Sequence, residues 1–253
     1  MQEKVNATKK HYQSTPYDHQ KIRAEIFKTS LTWQILQQHD LTDKTIVDIG
    51  CSTSYLGDYL KQHYPHYHYE GIDINPRAVE IAREKGLNVR EGNNLCLDLP
   101  DDYADVTISE GVIHHTPDPM HCFSELIRIT KKGGLISLYV YNRHHIYFLI
   151  YKSGFIIRCL WNTRIGKHLV KHIIFPLFDV LYVQLGNRIY FKNREKVPRE
   201  VAWNIFSDQI LTPVAHFFTS QKIIYFAEKH GLTLISNKLS INGQGLMFIF
   251  KKL

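Results

Sequence analysis

Two carboxylates lie near the ends of two successive apolar runs of the chain. Asp48 lies two residues before the turn at Gly50, and Asp73 is at the end of the next run. Because the carboxyl ends of neighbouring parallel strands share one edge of a sheet, these side chains are expected to lie close together. An acidic residue after the second strand of such a unit can bind the hydroxyls of a ribose. The pattern therefore predicts a nucleoside site.

The turn after Asp48 supports this prediction. Gly50 and Ser52 are small enough to let the backbone approach a ligand, and the helix that follows offers unpaired amides. A simpler interpretation is that Gly50 only makes a turn and that Asp73 caps the helix begun by Pro76.

His114 and His115 follow the fourth predicted strand and are candidates for moving a proton. A neutral imidazole accepts a proton near pH 7, so either histidine can act as general base towards a hydroxyl or an ammonium group. In the alternative role, one histidine only holds its loop through hydrogen bonds.

The cysteines argue against two other kinds of site. Cys51, Cys96, Cys122 and Cys159 lie far apart and form no CxxC pair, so the sequence predicts neither a metal site nor a disulfide framework. A reducing compartment suits such a chain, and we expect a cytoplasmic protein.

Targeting signals and net charge say little about the location or the partners of the protein. The N-terminus lacks the apolar stretch of a signal peptide, and no run approaches the roughly 18 apolar residues of a spanning helix, so we expect a soluble or peripheral protein. The formal net charge is +7, but lysines and arginines are spread along the chain. No nucleic-acid-binding module is visible, so charge alone does not indicate such a partner.

The elements that position these residues follow from the hydrophobic pattern. Short β-branched runs alternate with helical periodicities, which is typical of strand-helix units and a parallel sheet. Strands are predicted at 45–49, 68–72, 88–91, 104–109 and 134–140. A helix at 220–229, followed by apolar runs on both sides of Asn242-Gly243, predicts an antiparallel hairpin. The predicted fold class is α/β, a Rossmann-like doubly wound, mostly parallel sheet closed by an antiparallel C-terminal hairpin.

Two further segments complete the single domain expected for 1–253. A helix at 22–38 carries an apolar stripe and is expected to pack on the sheet edge. Residues 141–219 form an aromatic, basic and mostly helical insertion after the fifth strand. Its segment 145–190 can contact a membrane peripherally, line a pocket for an apolar acceptor, or pack over the sheet as an extended core.

Five segments, in the expected order, resemble motifs of class I S-adenosylmethionine-dependent methyltransferases. VDIGCSTSYLG resembles the first motif and EGIDINPRAVEIA the second, while LPDDYADVTISEGVIHHTPDP is similar to the fourth-strand segment of small-molecule members, including the quinone-biosynthesis type. KKGGLISLYVYN resembles the fifth-strand motif, and HFFTSQKIIYFAEKHGL resembles the helix before the terminal hairpin. Ser52 and Ser54 replace two motif glycines, and Lys132 replaces a common proline.

The resemblance implies S-adenosylmethionine as cofactor and assigns residues to it. Asp73 would bind the ribose hydroxyls, Ile74 would pack on the adenine, Asn93 or Asn94 would reach the adenine edge, and Glu110 would lie near the sulfonium. The full set of implied cofactor-binding residues is Asp48, Gly50, Ser52, Asp73, Ile74, Asn93, Asn94 and Glu110.

The resemblance also favours His115 over His114 as the base, because the second histidine of such pairs usually faces the cleft. Residues 1–20 resemble the aromatic lid that covers the donor in small-molecule members, although a docked tail would have the same composition. The candidate acceptor-binding residues are Tyr12, Tyr17, Tyr141, Asn142, Arg143 and His216.

The activity implied is methyl transfer to a small, hydrophobic or aromatic acceptor. Because the donor brings the reactivity, the protein mainly has to position two ligands, and no metal is required. Two alternatives stay open. The basic balance favours a nucleic-acid or protein methyltransferase, and the serines in the first motif favour a donor-binding pseudoenzyme with a scaffolding role.

Overall fold

The computed structural model of the chain describes residues 1–13, 27–40, 42–64, 66–190, 192 and 195–253. The chain divides into two compact units. Unit 1 comprises Met1–Arg143 and Val214–Leu253, and unit 2 comprises His144–Pro213.

Unit 1 is built on a seven-stranded sheet. Its strands are β1 (Thr45–Ile49), β2 (His68–Asp73), β3 (Val89–Glu91), β4 (Ala104–Glu110), β5 (Thr130–Tyr141), β6 (Leu232–Leu239) and β7 (Gly245–Lys252). The spatial order is β3-β2-β1-β4-β5-β7-β6. The first five strands pair in parallel, and β7 pairs antiparallel to both β5 and β6. This confirms the predicted Rossmann-like sheet closed by an antiparallel hairpin.

Helices cover both faces of this sheet and make up most of unit 2. In unit 1 they are α1 (Gln2–Gln13), α2 (Leu31–Gln38), α3 (Tyr55–His63), α4 (Pro76–Glu84) and α5 (Pro119–Ile129), and a 3-10 turn spans Ile113–His115. Unit 2 contains α6 (Tyr147–Ser153), α7 (Phe155–Trp161), α8 (Arg164–Tyr190) and α9 (Arg199–Phe206). Unit 1 ends with α10 (Ser220–Lys229) before the hairpin.

The strands form where they do because their side chains are buried on both faces. Val47 and Ile49 of β1 lie in one core with residues of α5 and α10. Ile46, the residue before Val47, points to the opposite face and packs with residues of α2 and α3. A strand buried on both sides needs a continuous apolar run, which is the pattern seen in the sequence. The sheet is therefore a firm base for the loops at its carboxyl edge.

The position of α2 differs from the predicted one. The first part of the predicted helix 22–38 lies outside the described residues. The described part places Leu31 and Ile35 against Ile46, Val106 and Ile249, which belong to three strands of one sheet face. The apolar stripe is wide enough to bury against the middle of the sheet, so α2 does not pack on the edge.

The longest helix, α8, is long and apolar enough to cross a membrane by length and composition, although no continuous apolar run of that length was evident in the sequence. Its 27 residues have a window of mean hydropathy 1.4 that is only 17% buried. Two π-helical segments, Val170–Ile174 and Asp179–Gln184, lie within it. Length and composition alone would allow this helix to span a bilayer.

Candidate functional site

The turn between β1 and α3 is fastened to the end of β2. The amides of Gly50 and Cys51 both donate to the carbonyl of Ile72, at 2.7 and 3.2 Å. β1 and β2 pair in parallel with Asp48 opposite Gly71. The two predicted acidic strand ends therefore meet at the same edge of the sheet, as the sequence indicated.

Asp73 organises the loops on both sides of it. Its Oδ2 accepts from the amide of Ser52 at 2.7 Å, and its Oδ1 accepts from the amide of Asn75 at 2.8 Å. The helix cap of α4 is Asn75, whose side chain accepts from the amide of Arg77. Because Asn75 caps this helix, the simpler interpretation of Asp73 as the cap is wrong.

The serines of the first motif keep a glycine-like backbone. Ser52 has φ 52°, Ser54 has φ 57° and Gly50 has φ 78°. A left-handed conformation costs a residue other than glycine roughly 1–2 kcal/mol. A Cβ at Gly50 would also lie 2.4 Å from the side chain of Val112. The shape of the turn is thus retained although two of its glycines are absent.

A hydroxyl network holds Ser54 in this conformation. Its Oγ lies 2.6 Å from the hydroxyl of Tyr69, which donates to Asp48 Oδ2 at 3.0 Å. A Cβ at Gly57 would lie 2.4 Å from Ser54 Oγ and 2.5 Å from the Tyr69 ring. Burial and the Asp48 charge raise the pKa of Tyr69 well above its usual value, so the phenol stays protonated and can donate. Sequence reasoning missed Tyr69, because the residue precedes the second motif and nothing in the sequence indicates that its hydroxyl contacts Ser54 and Asp48.

The two asparagines after β3 have different surroundings. Asn93 Oδ1 accepts from the amide of Leu95 at 3.1 Å and closes a turn. Asn94 is buried, and its Oδ1 has no hydrogen-bond partner among the described residues. Since buried acceptors are normally paired, Asn94 is the better candidate for contacting a ligand donor such as the adenine amino group.

This edge fits S-adenosylmethionine. Each oxygen of Asp73 accepts an amide proton, and a carboxylate oxygen can accept a second hydrogen bond, such as one from a ribose hydroxyl. Ile74 is partly buried beside Asp73 and adds an apolar surface. The unpaired oxygen of Asn94 supplies an acceptor for the base.

Helix α1 is tied to the loops that follow three strands. Thr8 Oγ1 donates to the carbonyl of His115 at 3.4 Å, beyond β4. Asn75 Nδ2 donates to the carbonyl of Tyr12 at 2.8 Å, beyond β2. Lys9 forms an ion pair with Glu91 at the end of β3. The described part of the predicted lid is therefore a docked helix, and Tyr17 lies outside the described residues.

The histidine pair sits beneath this helix. His115 Nδ1 lies 2.9 Å from the carbonyl of Val214. A carbonyl only accepts, so Nδ1 carries the proton in the neutral imidazole and Nε2 carries the lone pair. The Tyr12 ring meets His115 edge-on with centroids 5.9 Å apart. This tautomer makes Nε2 the nitrogen that can accept a proton.

His114 is fully buried, with its ring centroid 3.8 Å from that of Tyr141. Burial, with smaller effects from the neighbouring His115 and His216, lowers its pKa well below the usual value, and a weak contact with the main chain of Tyr139 only partly opposes the shift. His114 is therefore neutral at pH 7, in a position better suited to packing than to meeting an acceptor.

The other predicted acceptor residues separate into two groups. Tyr141 and His216 join the histidines: Tyr141 contacts both rings, and the His216 amide donates to the carbonyl of His114 at 2.8 Å. Burial lowers the pKa of His216. Asn142, by contrast, donates from Nδ2 to the carbonyl of Gly243 at 3.0 Å in the hairpin loop, and Arg143 is exposed.

Glu110 is held by α2 at the end of β4. Its carboxylate accepts a short hydrogen bond from the hydroxyl of Thr32, which is also 2.7 Å from Ser137 Oγ. Burial raises the pKa of Glu110, and its hydrogen bonds to Thr32 and Ser30 oppose the shift.

Metal chemistry has no candidate site in the described part of the chain, because no group of three or more His, Cys, Asp or Glu residues converges there. All four cysteines are free thiols.

Comparison with known proteins agrees with the geometry. Residues 47–138 match the family model described as "Methyltransferase domain". The chain is 38% identical over 107 residues to "Probable tRNA methyltransferase 9B" of Bos taurus, covering 39% of this chain and 23% of that protein. It is 32% identical over 97 residues to "2-methyl-6-phytyl-1,4-hydroquinone methyltransferase 1, chloroplastic" of Oryza sativa subsp. japonica, covering 37% of this chain and 29% of that protein. The match thus spans under a third of either relative.

The fold also matches solved structures. Magnesium protoporphyrin IX methyltransferase from Synechocystis PCC 6803, solved with bound SAH, superimposes with a TM-score of 0.56 at 12% identity, covering 91% of this chain and 83% of that chain. The match at 47–138 includes β1, β2 and β4, the strands whose carboxyl ends carry Asp48, Asp73 and Glu110. Residues 47–138 thus match a methyltransferase domain, and the chain shares the fold of a methyltransferase that was solved with bound SAH.

Proposed function

We propose that the protein transfers a methyl group from S-adenosylmethionine to a small, hydrophobic or aromatic acceptor, with His115 as general base. The observation that carries this proposal is the grouping of His115 with Tyr12 and Tyr141 beneath α1, next to the loops that fit the donor. An apolar, aromatic surrounding with one proton acceptor suits a ring that bears a hydroxyl or an amine.

Different residues of the chain would bind the donor and accept the proton in such a transfer. When bound, the donor supplies an electrophilic methyl group for in-line displacement. Asp73 and Asn94 would orient its nucleoside, and Asp48 would lie by its methionine portion. His115 Nε2 would take the acceptor proton, and the carbonyl of Val214 would stabilise the resulting imidazolium through Nδ1. Helix α1 would exclude water from the reaction.

The acceptor class is supported by one relative. The rice protein is named for a hydroquinone that carries a phytyl chain, which is both aromatic and strongly apolar. An acceptor of that kind matches the tyrosines and histidines around His115.

A nucleic-acid acceptor is the second candidate, because the Bos taurus relative is named as a tRNA methyltransferase and the formal net charge is +7. RNA binding driven by phosphate contacts would weaken steeply as salt is raised. A donor-binding pseudoenzyme is the third candidate, since Ser52 and Ser54 occupy motif glycine positions.

We also propose a cytoplasmic location. The four free thiols support it, because a reducing compartment keeps cysteines in that state. Peripheral contact with the cytoplasmic face of a membrane through 145–190 is compatible with it.

One labelling experiment separates the acceptor classes. The full chain is incubated with S-adenosylmethionine labelled on its methyl group and with an extract of cells that lack the protein. The label is then counted in the organic phase, in RNA and in protein. We expect it in the organic phase, and His115→Gln should lower that signal by about 10²-fold or more while leaving donor affinity unchanged.

The other outcomes are equally informative. Label that becomes soluble on ribonuclease treatment would establish the RNA candidate, and label in precipitated protein would establish a protein substrate. Calorimetry with the donor and its demethylated product completes the test. Binding without transfer to any fraction would favour the pseudoenzyme, and absence of binding would overturn the proposal.

A further inference from the structure

Unit 2 carries more of the exposed large apolar side chains among the described residues than unit 1 does, although it contains only His144–Pro213. Scattered exposed leucines are normal for a protein surface, but a contiguous apolar face marks an interaction site. The arrangement of these residues on α8 therefore decides whether they form an interaction face or are only scattered over the surface.

The exposed residues of α8 recur at every fourth position or at twice that spacing. They are Ile165, Ile173, Leu177, Leu181, Leu185 and Ile189, all about half exposed or more. We call this set the α8 stripe. In a regular α-helix such a spacing drifts around the axis by about 40° per step. The two π-helical segments of α8 have wider turns, with i to i+5 bonding, and counteract that drift. The stripe is thereby kept closer to one side of the helix.

The opposite side of α8 is packed within unit 2. Val170, Phe175 and Val183 are buried. The Phe175 ring lies 4.9 Å from that of Trp203 in α9 and 5.6 Å from that of Phe206. A helix with one packed face and one exposed apolar face is suited to lying in an interface, whereas a lone spanning helix exposes apolar residues all round.

The charges near the stripe favour an anionic surface. From 145 to 190 the sequence contains six lysines and arginines and a single acidic residue, Asp179. Lys167 and Lys171 each lie 5.9 Å from the ring centroid of Trp161, at the start of α8. A tryptophan flanked by lysines is the combination that occupies the headgroup region of membranes, where the ring is half immersed and the ammonium groups meet phosphates.

We propose that unit 2 docks on an anionic lipid surface through the α8 stripe, with α8 lying in the plane of the interface and the basic residues of 145–190, among them Lys167 and Lys171, attracting the anionic headgroups. The docking surface belongs to unit 2 alone and does not depend on the identity of the methyl acceptor. An apolar face and basic flanks together are required, because either one alone gives marginal membrane binding.

The test uses the full chain and vesicles of phosphatidylcholine with or without phosphatidylglycerol, followed by co-sedimentation. We expect binding only when the anionic lipid is present, and weaker binding at high salt. Leu177→Gln with Leu181→Gln should lower the apparent affinity at least tenfold, and Lys167→Gln with Lys171→Gln should do the same.

A matched control exists in unit 1. Ile235 and Leu239 of β6 are each 54% exposed, close to the 57% of Leu177 and the 67% of Leu181. Ile235→Gln with Leu239→Gln makes the same chemical change on another surface and should leave vesicle binding unchanged. Circular dichroism and donor calorimetry on all variants confirm that the fold and the methyl-donor site are intact.

Four results would overturn the proposal. The first two are absence of sedimentation with anionic vesicles and an equal loss of vesicle binding in the β6 control variant. The third is resistance of the bound protein to alkaline extraction, which would indicate a spanning helix, and the fourth is a dimer that the α8 variants convert to a monomer. The last result would assign the stripe to a second copy of the chain. Because donor binding is measured in the same samples, failure here is distinguishable from failure of the proposed activity.

Discussion

The hydroxyl of Tyr69 donates to Asp48 Oδ2 at 3.0 Å, and it does so while lying 2.6 Å from Ser54 Oγ. One phenol thereby links the acidic residue of the first motif to a serine held at φ 57°. The serine that departs from the motif glycine is thus part of a network that orients Asp48. Strain in the backbone and a hydrogen bond from the side chain act at the same residue.

Tyr69→Phe should therefore weaken both the fold and the donor site. Loss of the hydroxyl leaves the Asp48 carboxylate and the Ser54 hydroxyl without this partner, at a cost of about 1–3 kcal/mol in the free energy of unfolding. Donor affinity should fall severalfold because Asp48 is no longer held in place. Urea denaturation and calorimetry with S-adenosylmethionine measure the two effects.

The control for this prediction is Tyr103→Phe. The Tyr103 hydroxyl also donates to a carboxylate, Glu70 Oε2, at 3.0 Å, away from the turn after β1. Its removal should leave donor affinity unchanged. Equal donor affinity for wild type and Tyr69→Phe would show that the network has no part in binding.

Asn94→Ala should lower donor affinity about fivefold with little change in stability. Its buried Oδ1 has no partner among the described residues, so removing it takes away no intramolecular bond at that atom. Asn93→Ala should instead lower the stability of the fold and leave donor affinity nearly unchanged, since Asn93 Oδ1 accepts from the Leu95 amide. Thermal unfolding and calorimetry on both variants check the contrast, and a larger binding loss in Asn93→Ala would reverse the assignment.

Asp73→Ala should reduce donor affinity by about 1–3 kcal/mol if its carboxylate binds the ribose hydroxyls. The turn at Ser52 and the start of α4 also lose an acceptor, so stability should fall as well. The two effects separate when S-adenosylhomocysteine is compared with its 2′-deoxy form. The wild type should discriminate between them and the variant should not, whereas equal discrimination would assign Asp73 a purely structural task.

The sequence predicted the sheet well because local pattern and burial agree there. β1 and α10 begin and end at the predicted residues, since each apolar run is bounded by turn residues and lies in a core. Buried parallel strands are among the clearest signals that a sequence carries. The sheet order then brought Asp48 and Asp73 to one edge.

Side-chain networks between elements were beyond such reasoning. The contact of Tyr69 with Ser54 joins β2 to the turn before α3, and only the absent side chain of Gly57 makes room for it. Similarly, α1 has a polar sequence with few apolar residues, and its docking depends on the contacts of Thr8, Lys9 and Tyr12. Long-range polar contacts of this kind leave no periodicity in a sequence.

The lowered pKa of His114 has a consequence for stability in acid. The unfolded chain takes up a proton at this histidine near pH 6.5, whereas the folded protein resists it until a lower pH. Between those two pKa values the unfolded state binds more protons, so the contribution is fully present above pH 6.5 and is lost as the pH falls below it.

His114→Leu should therefore flatten the fall in the free energy of unfolding below about pH 6.5, by at most about 1.4 kcal/mol per pH unit for one proton. The slope is compared, because the substitution also changes packing against Tyr141. Urea denaturation at several pH values provides the slopes, and a wild-type slope in His114→Leu would mean that the acid sensitivity arises from another group, with His216 the next to replace.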